Sequence, residues 1–508
     1  MSNKVLKSTL IIMVVSILSR GIGFIRDLLI AGNFGTGVYT DAYNIAVTIP
    51  ETLFMVIGLA ISTSFLPILS EQLVKNGRKE MYEFANKFIT LLSFISVAVF
   101  VFAFIFAEDI VPFFAKGFDS ERLTLTITLT RITILNLLFL AVNACFTAIL
   151  QVNEDFVVPS VLGLFFNAPM IIYLLFFHSY SIVGLTIANV IGNAARVLVQ
   201  VPSLKAHGYK LKFNMDYKDE RIRRVLVLIA PVIIGAGANS LNLAVDKTVA
   251  SSLETGSVSA LDFAQKLIVF LNTIITTSVL TVAYPLMANK RNSGDDEGFT
   301  EYIKKTLIYC VLLLVPITCG AIIYNKEIIE IVYMRGQFAQ DSVNLTKTAF
   351  LGYLIGLAFY GVRDILNSIL FSMGKTRDTT INGIIGVSVN ILLILLLTKP
   401  LGIIGIAVST SSSLIVTSIM LLLNVNRILP NFKLGDLLFK MLKVLLASVI
   451  MGAVLILINN ILKIDINIIT IIPAAFLGAI VFYLLCIILK IKEINEISKL
   501  FLSKFRRK

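Results

Sequence analysis

The sequence predicts an all-α polytopic membrane protein with fourteen transmembrane helices: two parallel six-helix repeats followed by a C-terminal helix pair. Three observations predict it. The 508 residues are 57% hydrophobic and only 15% charged, with a mean hydropathy of +0.89, whereas a soluble globular domain is roughly 45–50% apolar and about 25% charged. Apolar runs long enough to cross a bilayer, about 20 residues each, recur along the whole chain between polar breaks. Polar and glycine signatures of the first half also recur in the second at a nearly constant offset.

In order, the runs fall near 8–33, 38–70, 86–108, 123–150, 155–178, 181–204, 223–252, 257–288, 303–323, 343–372, 378–398, 402–426, 438–461 and 467–489. Several exceed what a bilayer needs and should tilt or protrude. The first is too long for a cleavable signal peptide and has no small-residue cleavage site after it. Asp41 opens the second, and Pro50 interrupts it beside Glu51.

The connections set the orientation, because every second one is basic. One carries Lys75, Arg78, Lys79 and Lys87, and the 205–224 loop carries Lys205, Lys210, Lys212, Lys218, Arg221, Arg223 and Arg224. Later come Lys290, Arg291, Lys304 and Lys305, then Lys375 and Arg377, then Arg427, Lys433, Lys440 and Lys443, and finally a tail running from Lys490 to Lys508. The alternate connections Asn33–Thr40, His178–Ser181 and Glu254–Ser257 hold no Lys or Arg. The positive-inside rule then puts both termini in the cytoplasm. It also accounts for the net charge of +13 as topogenic and lipid-facing, not nucleic-acid-binding.

Asp27, Ala31, Thr36 and Gly37 align with Asp246, Ala250, Thr255 and Gly256 at an offset of 219. Pro67 aligns with Pro285 at 218, Lys116-Gly117 with Arg335-Gly336 at 219, and Gly184 with Gly405 at 221. An even number of helices per copy gives both copies the same orientation, the parallel-repeat plan of transporters with a site between the halves. The expected organisation is an N-lobe at 1–204, a cytoplasmic linker at 205–222, a C-lobe at 223–428, and a last helix pair with a basic tail at 429–508.

The first run holds the most costly residues. Arg20, Arg26 and Asp27 stand inside it, at roughly 2.5–3.5 kcal/mol each for mid-bilayer placement on insertion scales. Ser16, Arg20, Gly23 and Asp27 share one helical face, with Arg26 about 100° round from Asp27. Arg20 lies about 18 Å from residue 8, too deep for easy snorkelling. In the second half Asp246 and Lys247 occupy the seventh run, and Lys266 the eighth, where the aligned residue of the first copy is Val47. Further polar intruders are Asn167, Asn189, Asn193, Arg196 and Arg363-Asp364; the last pair and Asn193/Arg196 read first as ties between helices. Deep guanidinium groups in a low-dielectric cavity suit a phosphate-bearing anion, which Arg meets bidentately.

Other chemistries are excluded. Cys145, Cys310, Cys319 and Cys486 have no paired spacing, and His178 and His207 stand alone, so no metal site is expected. Gly374-Lys375-Thr376 is not a P-loop, because no Gly stands five residues before Gly374. The expectation is no enzyme and no cofactor, with transport driven by an ion gradient, the membrane potential, the substrate gradient or a partner protein.

Ser19-Arg20-x-x-Gly23-Phe24-x-Arg26-Asp27, then Phe34-Gly35-x-Gly37-x-x-Thr40-Asp41-Ala42-Tyr43, Ile49-Pro50 and Phe65-Leu66-Pro67-Ile68-Leu69 resemble the start of the MurJ (MviN) lipid II flippases of the multidrug/oligosaccharidyl-lipid/polysaccharide exporter superfamily. Tyr333-x-Arg335-Gly336-x-Phe338, Gly374-Lys375-Thr376 and Gly402-x-x-Gly405-x-Ala407 continue the resemblance. It implies two six-helix lobes that open alternately around a cationic cavity in the bacterial cytoplasmic (inner) membrane, serving peptidoglycan biosynthesis and cell shape. The implied substrate is lipid II, the undecaprenyl-pyrophosphate-linked peptidoglycan precursor, moved from the inner to the outer leaflet. By position Arg20, Arg26 and Lys266 would bind the pyrophosphate. Asp27 would orient the arginines, Asp41 would act in gating, and Ser19, Gly23 and Glu51 would support them. The last two helices would form a groove for the lipid tail, and Asp246 would serve Na+ or H+ coupling. Implied partners are membrane lipids and cell-wall synthesis proteins.

The sequence departs from the family around Pro50, where Thr48, Glu51, Thr52 and Phe54 stand and relatives carry basic residues. Lys266 replaces the commoner Arg. Fewer fixed positive charges keep open a flippase for another lipid-linked glycan, of O-antigen, teichoic or capsular type. Third among transport readings is a multidrug/cation antiporter, which calls for an acidic cavity where this one is net basic; a non-transporting scaffold for cell-wall enzymes is the reading from another class.

Overall fold

The computed structural model describes residues 3–177, 181–216, 219–462 and 469–494. His178, Lys218 and the basic tail from 495 onward lie outside the described residues. Among the described residues all regular structure is helical. The order is α1 (Asn3–Phe34), α2 (Val38–Ala60), a π-helical turn (Ile61–Phe65), α3 (Leu66–Ile105), α4 (Ala107–Phe114), α5 (Ser120–Thr133), α6 (Asn136–Val152), α7 (Val157–Phe176), α8 (Ile182–Ala206) and α9 (Glu220–Ser251). There follow α10 (Ser257–Asn292), α11 (Asp296–Ile323), α12 (Asn325–Tyr333), α13 (Gln340–Leu354), α14 (Leu357–Ser372), α15 (Thr376–Leu401), α16 (Ile403–Ile428), a 3-10 turn (Pro430–Phe432), α17 (Leu434–Leu462) and α18 (Ile471–Ile488). Ten helical stretches among the described residues are long and apolar enough to cross a membrane, or eleven if the α13–α14 pair, bent by 50°, is one span. With no water in the bilayer core to satisfy a free backbone, helix is the form such runs must take.

The expected interruption at Pro50 does not occur: α2 runs through it and passes by the π-helical turn into α3. Proline deletes one backbone donor, and in an apolar surrounding the rest of the ladder has nothing better to bond. The break comes at Gly77, whose φ of 81° and ψ of 178° leave the helical region, next to the basic residues Lys75, Arg78 and Lys79. Polar caps start the helices beyond. Asp119 accepts from Arg122 N, Ser181 from Val183 N, Asp219 from Arg221 N and Asp295 from Gly298 N, each meeting an orphan donor of the first turn.

The chain divides into two compact units, Met1–Asp262 with Arg335–Ser342, and Phe263–Met334 with Val343–Lys508. In the first, α1 packs on α7, α7 on α8, α2 on α5, α6 and α9, and α3 on α6. A core of Phe65, Met81, Phe84, Phe88, Phe146 and Ile149 closes one end, with the Phe65 and Phe88 rings stacked at 4.3 Å. There the linker is strapped to α3. Asn86 accepts from Tyr209 Oη and Lys212 N and donates to Lys210 O, and Lys87 Nζ lies 3.0 Å from both Asp216 and Asp219. Hydrogen bonds from Arg221, then from Lys87, hold the Asp219 carboxyl well below its ordinary range. Its contribution is therefore complete above the ordinary carboxylate pKa and is lost only as pH falls through the depressed value.

In the second unit α11 packs on α14 and α17, α16 on α14 and α15, and α17 on α18. Hydroxyls of α16 tie these helices. Ser411 donates to Gly352 O, Ser413 to Gly386 O and Ser418 to Phe359 O. Between helices in lipid, close packing and hydrogen bonds replace the hydrophobic drive.

The first unit also holds matching contacts 219 residues apart. A Cβ on Gly336 would overlap the carbonyl oxygen of Gly32, and one on Gly117 would overlap Ser251 O and the Ser252 backbone. Gln337 N donates to Gly32 O, and Gly117 N to Ser251 Oγ. Both loops follow short helices, α4 and α12, that the apolar runs did not predict. Gly336 has a φ of +55° and no room for a side chain, whereas Gly374 has a φ of +70° with nothing within 4 Å. Gly374→Ala should cost only the left-handed strain, about 1–2 kcal/mol, and Gly336→Ala should add an overpacking cost of about 1–3 kcal/mol. Thermal melting of the purified variants checks this, and equal losses would contradict the close approach.

Candidate functional site

The candidate site lies in the first unit, where α7 packs between α1 and α8. Ser19 and Gly23 set the distance. A Cβ on Gly163 of α7 would overlap Ser19 Oγ, and one on Gly23 would rest on the Asn167 amide at 3.5 Å. These two residues, expected to support the site, are packing positions that bring α1 against α7.

One turn on, Arg26 Nε and Nη2 donate to the same oxygen, Asp27 Oδ1, at 3.2 and 2.8 Å. The side chains are 17% and 8% exposed. This fork leaves three of the five guanidinium donors unused. The Arg26 guanidinium also lies 5.5 Å from the Phe166 ring of α7. Arg196 of α8 lies over the same ring at 3.8 Å. Its hydrogen bond is a long one, 3.3 Å from Nη1 to Asn193 Oδ1. Asn193 is held by Asn189 O, and Asn189 joins Tyr43 Oη and Asn136 Nδ2. Glu51 of α2, exposed on the accessible surface, acts electrostatically on both Arg26 and Arg196. Arg20 is exposed, and among the described residues it makes no ion pair.

Asp41 occupies a different place. Its Oδ2 accepts from Gly256 N at 2.7 Å, and its Oδ1 from Ser259 N and Oγ at 2.8 and 2.7 Å. Arg122, paired with Asp119 at 2.8 Å, approaches Asp41 Oδ2 at 3.8 Å. The fully buried Asp41 thus caps the N-terminus of α10 from the first turn of α2. Asp246 is half-buried in α9, and its neighbour Lys247 pairs with Asp262 at 3.1 Å. Lys266 belongs to the second unit, half-buried, 5.9 Å from the Phe263 ring. That unit repeats the fork: Arg363 donates twice to Asp364 Oδ1 and lies 4.6 Å from the Tyr360 ring, while Asn272 donates to Asp364 Oδ2.

Two participants escaped the sequence reading. Phe166 is one of thirty-five phenylalanines, marked only by standing beside Asn167 and near Pro169. Arg122 sits at the polar start of a run, with only Asp119 three residues before it as a signal.

Long apolar helices, paired charges within them and half-buried guanidinium groups on an aromatic ring define a multi-pass membrane protein of transporter type. The family profile described as "Lipid II flippase MurJ" matches residues 30–476. A probable lipid II flippase MurJ of Rickettsia prowazekii (strain Madrid E) is 28% identical over 410 residues, 80% of this chain and 80% of that protein. One of Thermotoga maritima is 26% identical over 497 residues, 97% and 98% of the two chains. A solved lipid II flippase MurJ in an inward closed conformation superposes with a TM-score of 0.80 at 25% identity, covering 94% of this chain and 98% of that one. An inward-facing multidrug resistance MATE family transporter, at 13% identity and a TM-score of 0.65 over 81% and 99% of the two chains, shares the fold. This chain belongs to the MurJ lipid II flippase family.

Asp41→Ala should leave Gly256 N and Ser259 N unpaired in a buried place, at about 1.5–3 kcal/mol for each lost bond to the carboxylate. Hydrogen exchange at the start of α10 should rise in that variant while α7 and α8 stay protected. Unchanged protection at Gly256–Ser259 would contradict the capping role.

Proposed function

We propose that this chain carries lipid II from the inner to the outer leaflet of the bacterial cytoplasmic membrane by alternating access. The observation that carries the reading is the family match across residues 30–476. The Arg26–Asp27 fork supports it, since guanidinium groups with unused donors in an apolar bundle suit a phosphate-bearing substrate. Arg20, Arg26 and Lys266 are the cations assigned to the pyrophosphate, with Asp27 as the group that orients Arg26. Binding partly neutralises these cations, and closure is then favoured because the charge no longer repels itself or demands water. Asp41 is assigned to gating through its cap on α10, and Asp246 to coupling with Na+ or H+; the membrane potential is the alternative drive. Membrane lipids and cell-wall synthesis proteins are the proposed partners.

The proposed topology has fourteen spans, two six-helix repeats at 1–204 and 223–428 around the 205–222 linker, a terminal pair within 429–508, and both termini cytoplasmic. Counting Val38–Ile105 as two spans divided at Gly77, taking α13–α14 as one, and adding α1 and α9 to the remaining stretches brings the total to fourteen. The matching contacts of Gly117 and Gly336 support the repeat. A second reading, a flippase for another lipid-linked glycan, is favoured by Glu51 standing beside Pro50 in place of a basic residue.

Arg26→Ala should fail to sustain growth in a strain depleted of its own lipid II flippase, at normal protein levels. Full rescue by that variant would sink the cationic-site reading.

A further inference from the structure

We infer that Arg196 of α8 is a second phosphate-binding guanidinium, presented beside Arg26 by the Phe166 ring. The inference rests on the lipid II reading and names a residue that the sequence pattern assigned to a tie between helices.

The partners of Arg196 argue against the tie. A guanidinium that serves to join helices normally meets a carboxylate of another helix, as Arg122 does with Asp41 and Arg221 with Glu80 in this unit. Arg196 instead has a ring and one 3.3 Å bond to a neutral amide on its own helix, which leaves four of five donors unused. The α7–α8 contact does not need it. Gly192 already packs against the Phe166 carbonyl, and Gly184 against the Tyr173 ring.

Its placement is nevertheless fixed. Asn193, which positions Nη1, is locked through Asn189 to α2 and α6. The ring takes one face of the guanidinium and leaves the in-plane N–H groups, the ones that fork onto phosphate oxygens. Arg26 lies 5.5 Å from the same ring, so one aromatic side chain serves two guanidinium groups. Two carboxylates act on them, Asp27 bound to Arg26 and Glu51 on both. An anion with oxygens for both groups meets the N–H donors that these carboxylates leave unused. A diphosphate supplies more oxygens than a monophosphate. The chain has no basic residue beside Pro50, and Arg196 brings the extra cation from α8.

The test uses the full-length protein in nanodiscs and two probes, undecaprenyl pyrophosphate and undecaprenyl phosphate. Wild type should prefer the pyrophosphate. Arg196→Gln should weaken pyrophosphate binding about tenfold or more and phosphate binding by less, so that the preference collapses while the melting temperature holds. Arg196→Lys should retain part of the affinity and lose part of the preference. Phe166→Leu, which leaves the charge but removes the ring, should also lower the preference; it serves where Arg196→Gln does not fold. Equal binding by Arg196→Gln and wild type overturns the inference alone. So does an equal loss for both lipids with a large fall in melting temperature, the signature of a tie. Wild-type protein that binds neither lipid overturns the lipid II reading, and the inference with it.

Discussion

Positive charge held among membrane helices is the constraint on which the rest of this structure depends. Arg26 cannot be left bare in an apolar bundle, and the chain answers with the nearest carboxylate in sequence, Asp27, and with the Phe166 ring. A fork between adjacent residues needs no second helix, so it keeps its geometry wherever α1 goes. It also engages only part of the guanidinium. The group is held in place and keeps three N–H donors with which to meet an anion.

Within each unit, helices are brought close without hydrophobic drive. Ser19 and Gly23 face Gly163 and Asn167, and Gly192 meets the Phe166 carbonyl. Amides on α8 and hydroxyls on α16 link neighbouring helices through their backbones and side chains. Elsewhere in this unit carboxylates are fully paired: Asp41 takes three hydrogen bonds, and Asp219 takes both Lys87 and Arg221. These saturated carboxylates contrast with the part-used guanidinium groups of Arg26 and Arg196, to which phosphate binding is assigned by proposal.

How much of this was legible in the sequence follows from the range of each interaction. The long helices were, because an apolar run of about 20 residues in lipid has one stable backbone form. Arg26 and Asp27 were, because they are adjacent. The continuity of α2 through Pro50 was not, since local propensity favours a break there and the surrounding bundle overrides it. The short helices α4 and α12 fall below the length that apolar periodicity detects. Asp41 announced a helix start, yet its partners Gly256 and Ser259 lie more than 200 residues away. Arg196 read as a tie because its sequence neighbours are the amides that hold it, and the ring that gives it a second meaning comes from another helix.

The central claim is that the cations of this bundle serve lipid II. It is tested most directly by reconstituting the full chain in proteoliposomes and following transbilayer movement of lipid II beside an undecaprenyl-linked O-antigen unit. The account predicts that lipid II crosses and the O-antigen lipid does not. Equal movement of both, or movement of the O-antigen lipid alone, would contradict it.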